Sequence, residues 1–148
     1  MTVFKAWLYY IEGTFYFDVF TKEIFTYRIA EGRWAREQCT GGFEDVVKLF
    51  KGSTETTILH TDQGSVYASM AYNELINDTN IIRSILLAGN STGNLVNEAL
   101  NCWIKEELNI KYHIDRMRYQ SEFEGALRPY VKYYNEQRPC YATGYDIQ

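Results

Sequence analysis

Two segments decide how this chain is read: HTDQGSVYAS at positions 60–69 and GNSTGNLVNEALNCWIKEEL at positions 89–108. In the first, Asp62 stands where the run Thr57-Ile58-Leu59 gives way to a glycine-containing turn. In the second, Glu98 stands near the start of a helical pattern, with 35 residues between the two acids. A carboxylate at a strand end and another on a helix can converge on a hard divalent cation, because Mg²⁺ prefers oxygen ligands and shares its sites with phosphates. Paired ions about 4 Å apart clamp the attacking and leaving oxygens of a phosphodiester. Spacing alone does not establish such a site: the chain carries 19 Asp and Glu, and most acids in any protein are simply solvated.

Composition narrows the classes. At 148 residues the chain fits one domain, 1–148, long enough to bury a core. A hydrophobic content of 46% with 16% aromatics excludes a disordered chain. No low-complexity tract or linker is visible, and no apolar run approaches the ~20 residues that cross a bilayer. The opening MTVFKAWLYY lacks the charged region and cleavage site of a secretory signal. Cys39, Cys102 and Cys140 form no C-x-x-C pair, which argues against zinc and for a reducing, cytoplasmic setting. The net charge of −4 weighs against tight DNA binding by the domain alone, since nucleic-acid binders usually show a basic footprint. A metal-binding acidic cluster is neutralised by its ions, however, and a local basic stripe can coexist with an acidic total.

Along the chain, residues 3–11 read as a β-prone strand, Glu12-Gly13 as a turn, 14–20 as a second strand and 24–30 as a third. The imperfect alternation of this meander suits a sheet covered on both faces. Gly41-Gly42 interrupts any helix begun at Arg33, and Phe43, Val46, Val47 and Phe50 mark a helix over 43–50. Residues 56–61 form a short strand with Asp62 at its carboxyl end, where open α/β sheets place ligands. A short helix over 69–77, a strand over 81–86 and a polar loop over 87–93 follow. The longest helix, 94–109, has an apolar face of Val96, Ala99, Leu100, Trp103 and Ile104, with Glu98 off its centre. The last helix, 121–134, is bent or restarted by Pro129. The order implies an α/β protein with five strands.

The letters around the two acids resemble the catalytic core of bacterial insertion-sequence transposases related to retroviral integrases. That family carries H-[ST]-D-[QR]-G-x-x-Y-x-S around its second Asp and places its Glu after a G-N-[SC]-x-D-N segment, 35 residues on. YVKYYNEQRPCYATGY at 130–145 is similar to the family ending [YF]-x-x-[YF]-Y-N-x-x-R-P-H-x-x-x-G-Y. FDVFTKEIFTYRI at 17–29 is similar to its L-D-L-F-S-R-x-I-V-G-W strand pair. The likeness covers about residues 14–146. It implies a ribonuclease-H-like fold, a five-stranded mixed sheet flanked by helices, with a DDE triad holding Mg²⁺ or Mn²⁺ for DNA cleavage and strand transfer. Asp62 and Glu98 match the second and third catalytic, metal-binding acids. Gln63, Asn94 and Lys105 become candidate substrate contacts. The implied partners are transposon ends and target DNA, and the implied assembly is a homodimer or larger.

The sequence also departs from the family. No Asp precedes Asp18, so the first triad acid, expected in a W-x-T-D-[IV]-T-like first strand, is not found. Asp18 matches a position at the end of the second strand that the family does not assign to metal. Either the metal position falls on Trp7, which cannot ligate, or the first strand lies upstream of Met1. Leu87-Ala88 stand where relatives often carry Arg-Lys, Gly93 where they carry Asp, and Cys140 where they carry His. Fewer positive charges weaken phosphate contact, and a lost carboxylate weakens transition-state stabilisation. The resemblance therefore implies an impaired transposase core. The alternatives are a non-catalytic remnant that binds DNA or protein or dimerises, a ribonuclease-H-like nuclease, and, least supported, a two-carboxylate glycosidase.

Each candidate also has a plainer role. His60 reads as a strand-end residue with a solvated or hydrogen-bonded ring, Gln63 and Gly64 as turn formers, and Asn94 as a helix cap. Lys105, beside Glu106-Glu107, reads as part of a solvated helix face. Arg138 reads as an anchor for the tail, and the C-terminal tyrosines as packing groups.

Overall fold

The structure is a computed structural model that describes residues 1–31, 35–61, 74–77, 79–85 and 95–139, apart from the side chains of 35–39 and 85. Among these, three strands form an antiparallel meander: β1 (Thr2–Lys5), β2 (Tyr10–Phe17) and β3 (Ile24–Glu31). Helix α1 (Ala35–Phe50) leads to β4 (Thr57–Thr61), which pairs in parallel with β5 (Ile81–Ile85). Helices α2 (Leu95–Tyr112) and α3 (Gln120–Glu136) follow, joined through a 3₁₀ turn at Ile114–Arg116.

The five expected strands are present, but they form sheets of three and two strands rather than one five-stranded sheet. β1 pairs with β2 through four residues, Thr2 opposite Gly13 to Lys5 opposite Tyr10, and among the described residues no strand pairs the meander with β4. The expected strand over 3–11 is instead folded in two. The Ala6 N–H donates to the Tyr9 carbonyl at 3.0 Å, closing a hairpin whose tip exposes Leu8. Trp7 thus sits in this turn and not in a strand. Glu12-Gly13 lies inside β2 rather than forming a turn. Gly13 is there for close packing: a Cβ on it would come within 2.9 Å of Phe4 Cε2.

The core forms between the meander and the two C-terminal helices. Phe4, Ile11 and Phe15 pack against Leu100, Ile104, Leu108, Phe123, Leu127, Tyr130 and Tyr134. The buried stripe of α2 is Leu100, Ile104 and Leu108, at a spacing of four. The expected face was rotated from this: Val96 is 40% and Trp103 45% exposed. Helix α3 runs unbroken through Pro129. Both Pro129 and Gly125, whose carbonyl loses its i+4 donor, lie on the exposed side, while the opposite face buries Phe123, Ala126, Leu127, Tyr130 and Tyr134.

Helix α1 packs on the meander through a second cluster of Tyr16, Phe43, Val46 and Ile81, aided by an Arg28–Asp45 ion pair at 2.6 Å. It also runs through Gly41-Gly42, contrary to the expected break. At Gly42 the absence of a side chain lets the helix approach β2, since a Cβ would come within 2.7 Å of Tyr16 Cε2. At Gly41 the nearest atoms stand 4.0 Å away. The two neighbours therefore respond oppositely to alanine. Gly41→Ala gains helix propensity, up to about 1 kcal/mol, and raises the thermal midpoint. Gly42→Ala pushes a buried ring, costs about 1–3 kcal/mol and lowers it.

Candidate functional site

Three element ends border one cleft of about 710 Å³: the carboxyl ends of β2 and β4 and the first turn of α2, represented by Asp18, Thr61 and Asn97. Met1, His60 and Val96 also line it. The strand run 57–61 and the helix run from 95 thus form where the sequence pattern puts them.

Asp62, Gln63 and Asn94 lie outside the described residues, as do Leu87-Ala88, Gly93 and Cys140. Glu98 occupies the first turn of α2, where the helix dipole favours an acid. Its side chain is exposed and is not among the described residues that line the cleft. Lys105 is half-buried on the same helix, seven positions on, hence about 10 Å along the axis. β1, Thr-Val-Phe-Lys, carries no carboxylate. Among the described residues no three His, Cys, Asp or Glu side chains come together to hold a metal ion. The described donors therefore do not amount to a divalent-metal site.

Asp18 has a structural role. One carboxylate oxygen accepts the Phe20 N–H at 2.7 Å and the Thr21 N–H at 2.6 Å. The Asp18 N–H donates to the Glu23 carbonyl at 2.9 Å, so the residue organises the β2–β3 turn, as Asp does where it mimics a backbone turn. The His60 ring, exposed, lies 3.1 Å from the Ser84 hydroxyl on β5, a cross-strand hydrogen bond in line with its plainer reading.

An ionic network away from the cleft locks the last two helices. Glu107 accepts the Tyr130 hydroxyl at 2.8 Å and Arg138 Nε at 2.9 Å. The Arg138 guanidinium also stacks near Trp103 and Tyr134, 5.3 and 5.1 Å from their ring centres. Arg138 is thus the tail anchor that the sequence suggested, and Glu107 is not merely a member of a solvated face. Burial alone would lower the Arg138 pKa, but the hydrogen bond and charge of Glu107 outweigh it and hold the group above its ordinary value. Burial, then the Glu107 hydrogen bond and charge, push the Tyr130 phenol well above its usual range. Sequence reasoning missed Asn135, whose amide spans Ile24 at the start of β3, accepting its N–H at 3.0 Å and donating to its carbonyl at 2.9 Å. Its place in the YYN run of the C-terminal motif was the available signal.

Solved structures share this fold. A chain of the simian T-cell lymphotropic virus intasome in complex with PP2A regulatory subunit B56 gamma aligns with a TM-score of 0.68 at 15% identity, over 94% of this chain and 47% of that one. The catalytic core domain of BIV integrase aligns with a TM-score of 0.57 at 16% identity, over 93% and 82%. The fold is the ribonuclease-H-like α/β fold of integrase cores. No protein-family model matches the chain. InsK of Escherichia coli K12, named as the transposase of insertion sequence element IS150, is 27% identical over 121 residues, 82% of this chain and 41% of that protein. In sequence and fold, the chain resembles the integrase-like core of insertion-sequence transposases. It spans about half the length of the curated relatives it matches, and no helix among its described residues is long and apolar enough to cross a membrane.

The Tyr130–Glu107 bond carries a pH signature. A phenol whose folded pKa is raised contributes its full stability below its unfolded value, about pH 10, and that contribution is lost as pH rises above it. The thermal midpoint should fall above about pH 10. Tyr130→Phe should flatten part of that fall and cost about 1–2 kcal/mol at neutral pH, the worth of a hydrogen bond to a carboxylate.

Proposed function

We propose that this chain is a transposase catalytic core by descent, built for metal-dependent DNA cleavage and strand transfer, with that activity impaired in the 148-residue form. The observation that carries the reading is the order of the motifs on an integrase-like fold. The DQG segment directly follows β4, Glu98 lies in the first turn of α2, and the YYN…R run closes the last helix onto α2 through Arg138 and Glu107. Asp62 and Glu98 are the residues that would ligate Mg²⁺ or Mn²⁺, which would supply positive charge against a phosphodiester. Gln63, Asn94 and Lys105 are the substrate contacts of this reading, with DNA as the partner and a dimer or larger assembly as the working form.

The impairment rests on β1, which offers no third carboxylate. Two acids hold a doubly charged ion less tightly than three, since fewer hard oxygen ligands and less compensating charge are available. The same observation favours the second reading, a non-catalytic remnant that occupies DNA or dimerises.

Calorimetric titration of the folded chain with Mn²⁺ separates the two. The catalytic reading predicts weak, saturable binding that is lost in both Asp62→Asn and Glu98→Gln, together with slow cleavage of transposon-end DNA. A folded protein that binds no Mn²⁺ would make the two acids relics and leave the binding reading. Cleavage without joining of DNA ends would point to a ribonuclease-H-like nuclease.

A further inference from the structure

Two chain segments meet at the end of the molecule remote from the cleft. The cleft lies at the carboxyl end of β2 and the first turn of α2. The other end of β2 leads back into the β1–β2 turn, and the last turn of α2 leads into the 3₁₀ turn at Ile114–Arg116. There the Trp7 N–H donates to the Met117 carbonyl at 3.2 Å. The run Lys5-Ala6-Trp7-Leu8 therefore lies beside Arg116-Met117-Arg118-Tyr119.

Both backbones are fixed while the outward side chains stay free. The Ala6–Tyr9 hydrogen bond closes the turn that carries Trp7, and Glu122 Oε2 accepts the Arg118 N–H at 2.7 Å. Met117 packs on the core, whereas Lys5, Arg116 and Arg118 are exposed. None of these three cations joins an ion pair among the described residues. Trp7 is 55% and Tyr119 66% exposed. The charge balance is also local. In a chain of net charge −4, residues 1–10 and 111–119 carry four cations, Lys5, Lys111, Arg116 and Arg118, and one acid, Asp115.

We propose that this surface is a second nucleic-acid site, distinct from the cleft, that takes a single strand. Lys5, Arg116 and Arg118 meet its phosphates, and Trp7 and Tyr119 stack on its bases. Free cations attract phosphates by releasing the counterions that surround them. Exposed indole and phenol faces stack on bases of any sequence. Bases in a duplex already stack on one another, so open ring faces favour an unpaired strand. An acidic peptide would answer the cations but leave the two rings without planar partners. Because both backbones are held before binding, little ordering is needed when the strand arrives. The site does not depend on the metal reading: it can hold a strand in a protein that cuts no DNA.

The test follows the fluorescence anisotropy of a labelled oligothymidylate of about ten nucleotides, within the range of known single-strand sites, as the full chain is added. EDTA is present throughout, so the result is silent on Mn²⁺ and independent of cleavage. The proposal expects saturable binding, at least tenfold weaker for an abasic strand of the same length, which keeps the phosphates and lacks the rings. Trp7→Ala should weaken binding at least fivefold with an unchanged thermal midpoint, and Trp7→Phe, which keeps a ring, should restore most of it. Three phosphate contacts give a logarithmic salt slope of about −2, and Arg116→Gln combined with Arg118→Gln should bring it to about −0.7. No binding by the folded chain would overturn the proposal, as would equal binding of the abasic strand. Binding that survives the Trp7 and arginine variants but is lost in Asp62→Asn would place the strand at the cleft and overturn it. A polyglutamate peptide that binds as tightly as the oligothymidylate would assign the surface to an acidic protein and would also overturn it.

Discussion

Four backbone rungs, Thr2–Gly13 to Lys5–Tyr10, tie β1 to the meander, and the larger core depends on them. Those rungs position Phe4 beneath Gly13 and against Phe123, with ring centres 5.0 Å apart. In this way the first strand, the meander and α3 enter one apolar core. The β4–β5 pair is attached through α1 and the small cluster around Tyr16, Phe43, Val46 and Ile81. Between the meander and the β4–β5 pair lies the cleft, bordered by Asp18, Thr61 and Asn97.

This placement bears on chemistry. Catalysis at a phosphodiester depends on charges held in fixed positions before the reaction. Here the elements that carry the candidate acids are not braced by a shared sheet, and β1 supplies no acid of its own. A polar network lies elsewhere, where Glu107, Tyr130 and Arg138 fasten α3 and the segment after it to α2.

Much of this was legible in the letters. The strands at 24–31, 57–61 and 81–85, the long helix carrying Glu98 and the last helix formed close to their expected limits, while the first two strands, expected over 3–11 and 14–20, formed over 2–5 and 10–17. The motif spacing also led to the integrase-like fold that the structural neighbours share. What was not legible was determined by contacts between distant residues. Glycine ordinarily punctuates local structure, but Gly13 and Gly42 face the Phe4 and Tyr16 rings, so the chain continues as strand and as helix through them. Pro129 is tolerated because it falls on the open side of a helix held by five buried residues. The apolar face of α2 was misjudged at Trp103 because Arg138, 35 residues away, covers that indole at the surface. The separation into two sheets could not be read at all, since strand propensity is a local property and sheet continuity depends on the length of a partner strand.

The measurement that tests this account most directly is native-state hydrogen exchange across the whole chain, resolved by residue. Because local openings report the free energy of each cooperative unit, the account predicts two levels. Amides of β2, β3, α2 and α3 should exchange only through global unfolding, while those of β4 and β5 should exchange through a cheaper opening that leaves the larger core intact. A single level of protection shared by all five strands would contradict it, showing that the sheets act as one unit and that the cleft between them is not the point of weakness described here.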